Sequence, residues 1–119
     1  MNKIKLPFGW SLYVLRCSQE ELINQTKKLG VDFNFKREDK ITGIAEFIYK
    51  ESPCDSFFIA WVNGDKPGNF YHLLHELHHV IKLYTEHLEI IDEEFKAYLF
   101  EDICKQLKLD DAKGRVSAP

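Results

Sequence analysis

The sequence predicts a single α+β domain, with a small sheet of about three strands packed on an N-terminal helix and two later helices. Three observations predict it. Runs rich in β-formers at 10–17, 41–50 and 56–62 are bounded by turn-forming clusters. Apolar residues recur at helical spacing over 22–29, 70–86 and 92–107. A chain of 119 residues with 45% hydrophobic residues and sixteen aromatics can bury one core but is too short to expect a second.

The first strand is Trp10 to Cys17, with Trp10, Leu12 and Val14 on one side. Ser18-Gln19-Glu20-Glu21 has capping-box spacing, Leu22, Ile23, Thr26 and Leu29 follow as a helical stripe, and Gly30 supplies the stop. Residues 31–40 are polar and weakly patterned, which predicts a loop. Ile41 to Lys50 and Ser56 to Val62 read as two strands joined across Glu51-Ser52-Pro53-Cys54-Asp55. In the second of them Phe57, Ile59 and Trp61 alternate with Phe58, Ala60 and Val62, so both faces are apolar.

Asn63 to Gly68 is the strongest break in the chain, and Asn69 is the expected N-cap of the helix that follows. The next helix runs from about Asp92 to Leu107, with Phe95, Leu99, Phe100, Ile103 and Leu107 inward and Glu94, Ala97, Tyr98 and Glu101 on its other flank. The domain is expected over 1–107, and 108–119, without apolar periodicity, as a flexible C-terminal tail.

Composition narrows the function classes. Net charge is −3 and the basic residues are interspersed with acids, so no basic face offers itself to a phosphate backbone and no nucleic-acid partner is expected. Cys17, Cys54 and Cys104 are odd in number and lie far apart in apolar surroundings, which suits reduced thiols in a cytosol. Pro7, Gly9, Arg16 and Glu20 interrupt anything resembling a signal sequence. No run approaches the ~20 apolar residues of a membrane span. The expected location is cytoplasmic, in a bacterial cell or a phage-infected host.

The chemistry is concentrated in one stretch. All five histidines fall between 72 and 87, and His75-Glu76-Leu77-His78-His79 spells H-E-x-x-H. At ~100° per residue, residues 70–86 place Phe70, Leu73, Leu74, Leu77, Val80, Ile81 and Tyr84 on one face. His72, His75, Glu76 and His79 share the opposite arc, and His78 is rotated away. Histidines four apart on a helix stand one turn apart on one side, close enough to hold a single Zn²⁺. Glu76 lies beside them as a base for water.

A catalytic zinc needs a third protein ligand. Glu94 ranks first, because it opens an E-x-x-A-Y run in which small Ala97 lets the last helix approach closely. His72 would require three ligands along ~10 Å of one straight helix. His87 would require the chain to turn back. The remaining alternative is a histidine-rich solvated helix face.

His75 to His79 followed by Asp92 to Tyr98 resembles the compact gluzincin metallopeptidases, most nearly the ImmA/IrrE group and its small phage-type relatives. The resemblance covers about residues 56–103 and implies a zincin-like fold, with His75 and His79 as zinc ligands, Glu94 as the third and Glu76 as general base. His78 stands where the group often has Gly, and Tyr98 where it often has Asn, which shifts any supporting contact there to Tyr98 itself or to Glu101. The resemblance also implies an edge strand beside the metal helix that pairs with an extended substrate, for which Phe57, Ile59 and Trp61 are the candidates. The other reading of that strand is ordinary core. His72, Tyr98 and His87 are the candidates for stabilising an oxyanion.

The expected function is therefore zinc-dependent hydrolysis of peptide bonds in an intracellular protein, with one Zn²⁺ per chain. The rival is a zincin-fold interaction module that keeps a structural metal without catalysis. A toxin-like hydrolase ranks third.

Overall fold

The structure is a computed structural model that describes residues 1–33, 42–52, 55–110 and 115–116. Its strands are β1 (Asn2–Lys5), β2 (Ser11–Cys17), β3 (Gly43–Ile48), β4 (Phe57–Asn63), β5 (Leu109–Asp110) and β6 (Arg115–Val116). The helices are α1 (Gln19–Lys27), α2 (Asn69–His87) and α3 (Glu93–Leu107). The predicted loop at 31–40 falls largely outside the described residues, as do Pro53 and Cys54.

The main sheet is mixed and has four strands in the order β1-β2-β4-β3, one more than expected. The additional strand, β1, has a single inward apolar residue, Ile4, which leaves almost no period for a sequence reading to detect. It pairs antiparallel with β2, setting Ile4 opposite Leu12. Between them Phe8 and Gly9 take positive φ in a tight turn at Pro7–Gly9. The central pair β2 and β4 is parallel, with Val14 opposite Ala60, and β3 closes the far side antiparallel to β4.

The three expected helices lie on both faces of the sheet, α1 on one and α2 and α3 on the other. The alternation within β4 divides the core. Phe58, Ala60 and Val62 pack with Leu12 and Val14 against Leu73, Leu77, Val80 and Tyr84 of α2 and Leu99, Ile103 and Leu107 of α3. Ile59 and Trp61 join Leu15 of β2 and Leu22 of α1 in a smaller cluster on the other face. Two-sided burial is why β4 reads as a continuous apolar run.

Local chemistry sets the helix ends. Ser18 Oγ accepts from Glu21 N at 3.2 Å to start α1, while the Glu21 carboxylate accepts from Gln25 instead of closing the reciprocal half of a capping box. Asp92 caps α3 by accepting from Glu94 N at 2.8 Å and Phe95 N at 3.4 Å. In the last dozen residues, where no element was expected, β5 and β6 pair Leu109 with Val116 and Asp110 with Arg115. No helix among the described residues is long and apolar enough to cross a membrane.

Candidate metal centre

Helix α2 carries the site and starts at its expected cap, Asn69, so that the cap itself is Gly68, one residue earlier. Gly68, at φ 73°, turns the chain into the helix, a left-handed conformation that glycine adopts at little cost. Asn69 is already helical, and its side chain works as a brace. Its amide donates to Gly64 O at 3.2 Å and Lys66 O at 2.9 Å, and its carbonyl oxygen accepts from Arg16 Nε. The break at 63–68 is thereby tied to the end of β2.

As the helical projection predicts, Leu73, Leu77, Val80, Ile81 and Tyr84 are buried, and His75 and His79 are exposed on the opposite side. Glu76 differs from that simple division, because it is only 7% exposed, at the seam where α2 meets β3. The Nε2 atoms of His75 and His79 lie 3.0 Å apart, and Glu76 Oε1 is 3.9 Å from His75 Nε2. One ligand atom from each of the three lies within 4.8 Å of the others. Two nitrogens at that separation are within the span of ligands each ~2.0–2.1 Å from one zinc ion.

Glu76 Oε2 is buried and has no hydrogen-bond partner. Burial pushes the Glu76 carboxyl above its usual pKa, and the neighbouring His75, His79 and His72 act in the opposite direction. His72 belongs to the same arc and has an unpartnered, buried Nδ1. An orphaned carboxylate oxygen beside two convergent imidazoles fits a bound cation or a water delivered to one.

Gly43, the first residue of β3, makes this close approach feasible. A Cβ there would lie 2.9 Å from Glu76 Cγ and 2.9 Å from the Trp61 carbonyl oxygen. Beyond it an open cleft of about 460 Å³ runs between β3 and α2, lined by Gly43, Ala45, Glu46, Glu76, His79, Lys82 and Glu86 among others. Sequence reasoning missed this wall. The available signals were a lone glycine at a strand start, which marks close approach, and the continuation of the histidine face to Lys82 and Glu86.

Several expected residues are elsewhere. Glu94 is exposed on the first turn of α3 and lies outside the cluster, which is the only one of its kind among the described residues. The reason is the rotation of α3. It meets α2 with Lys96, Ala97 and Phe100, and His78 stacks on Phe100 with ring centroids 4.6 Å apart. Glu94 and Glu101 therefore fall on the outer flank, where Glu101 pairs with Lys105 at 2.9 Å. Tyr98 borders a separate hollow with Pro7 and Phe95. His87 packs edge-on against Trp10, with centroids 5.0 Å apart, and beside Phe47.

Phe57, Ile59 and Trp61 do not form an edge. Their strand is hydrogen-bonded on both sides, and Ile59 and Trp61 are fully buried on the face away from α2. The strand at the end of the sheet beside α2 is β3.

Comparison with protein-family models, curated proteins and solved structures found no match to this chain.

Proposed function

We propose that the protein is a small zinc-dependent peptidase, with His75 and His79 as zinc ligands, Glu76 as its base, and the third protein ligand that a catalytic zinc needs coming from outside this cluster. The observation that carries this reading is the 3.0 Å approach of the two imidazole nitrogens beside a buried carboxylate with a free oxygen, opening onto a cleft. A zinc ion held there would supply Lewis acidity, bringing the pKa of water towards ~7 and polarising a carbonyl.

The protein's own residues then have defined tasks. Glu76 accepts the proton of the attacking water as the scissile carbonyl carbon gains its oxygen, and returns a proton to the departing amine nitrogen. His72, on the same arc with its unpartnered Nδ1, is the donor assigned to the developing oxyanion. The substrate lies extended in the cleft, and its main chain pairs with the outer edge of β3.

A second reading has an observation of its own. Glu76 is the carboxylate that accompanies the histidines, and Glu94 is not near them. If Glu76 is itself a ligand, no base is left beside the metal, and the protein is an interaction module that keeps the metal without catalysis. Replacement of Glu76 by Gln separates the two. Retained zinc with at least ~100-fold slower cleavage of a peptide substrate supports the peptidase, and loss of zinc supports the module.

A further inference from the structure

The cleft carries charge that the hydrolytic reading does not use. Glu46 of β3 and Glu86 of α2 both line it, and neither forms an ion pair with another described residue. The same cleft contains the 7%-exposed Glu76 with its unpartnered Oε2, so it is built to receive a ligand as well as being acidic. Among the described lining residues Lys82 is the only cation, and it makes no ion pair with another described residue.

The two carboxylates stand close together along the cleft. Glu86 follows Glu76 by ten helical residues, ~15 Å at 1.5 Å each. Glu46 follows Gly43, which touches Glu76, by three strand residues, ~10 Å, so it lies ~5 Å nearer the histidines than Glu86, about the rise of one to two extended residues. Phe47 of β3 lies beside His87 of α2, so strand and helix run in the same sense and these two distances are measured in the same direction. Lys82 stands a turn closer to the histidines. An extended peptide covers ~10 Å in about three residues, and its successive side chains point to opposite faces. One side chain at the level of Glu86 therefore meets it on the α2 side, and its neighbour, one residue nearer the histidines, meets Glu46 on the other.

We propose that this cleft selects extended peptides with two adjacent basic side chains about three residues from the histidine pair, read by Glu86 and Glu46. The inference rests on the peptide-binding reading of the cleft and adds the substrate class to it. The backbone pairs with β3, and the carboxylates determine which peptides settle in that register.

The test uses fluorescence anisotropy with the full chain carrying Glu76→Gln, so that binding is read without turnover. Labelled peptides of one length carry Lys-Arg, Gln-Gln or Glu-Glu at successive positions. The Lys-Arg peptide in one register is expected to bind about fivefold more tightly than Gln-Gln, with the preference falling in high salt. Joint Glu46→Lys and Glu86→Lys changes should invert the order in favour of Glu-Glu. The single Gln variants should each weaken the preference, and Glu101→Lys on the outer flank of α3 should leave it intact.

Equal binding of the three peptides, an order unchanged by charge reversal, or no binding of any peptide would overturn the proposal. Cleavage by the zinc-loaded wild-type protein without a basic preference removes this inference and keeps the peptidase. Basic-selective binding without any cleavage keeps the inference and removes the peptidase.

Discussion

Gly43 and Glu76 are in contact across the seam between β3 and α2, where a methyl group on Gly43 would lie 2.9 Å from Glu76 Cγ. The absence of a side chain at one residue thus fixes how deeply the carboxylate at the other is buried. Replacing Gly43 with Ala must move Glu76 or separate β3 from the Trp61 carbonyl. The expected cost is ~1–3 kcal/mol in urea denaturation, as for other overpacked sites. Unchanged stability with unchanged zinc binding would show that the seam yields freely.

His79→Ala should abolish stoichiometric zinc, measured by elemental analysis after dialysis. It should change metal-free stability by less than about 0.5 kcal/mol, because the ring is exposed. Glu94→Gln should leave zinc content unchanged, since Glu94 lies on the outer flank of α3. Loss of zinc in that variant would mean that α3 turns towards the centre when metal binds.

Asn69→Ala removes one accepted and two donated hydrogen bonds at the entrance to α2. Partly buried bonds of this kind contribute ~1 kcal/mol each at most, so a total loss of ~1–2 kcal/mol is expected in chemical denaturation. A variant as stable as the parent would show that Gly68 alone sets the start of the helix.

Tyr84 is fully buried, donates to Pro7 O at 2.6 Å, and its pKa is pushed up by burial to about 12. Its phenol should remain protonated in the folded state above pH ~10, where the unfolded chain begins to lose that proton. The unfolded state then releases protons that the folded state retains, so stability falls as pH rises from about 10 towards 12. Tyr84→Phe should remove that component of the alkaline decline. An identical pH profile in the variant would contradict the assignment.

Much of this arrangement was legible in the sequence because it is periodic. The 3.6-residue repeat over 70–86 separates the buried face of α2 from His75 and His79, and local backbone needs explain Ser18, Asp92 and Gly30. Proximity along one helix follows from spacing alone, so the histidine pair could be placed without any tertiary contact. The α+β class follows similarly from alternating strand and helix periods.

Tertiary structure decided the rest. The two-sided apolar pattern of β4 was compatible with either a core or an edge strand, and only pairing with both β2 and β3 made it central. The rotation of α3 about its own axis, set by Phe95, Leu99, Ile103 and Leu107 meeting the core, carries Glu94 to the outside. A sequence motif specifies which residues share a helix face but not which way a neighbouring helix turns, because that depends on packing summed over distant residues. For the same reason H-E-x-x-H was visible from the start, while the β3 wall of its cleft, from Gly43 to Glu46, emerged only from the folded chain.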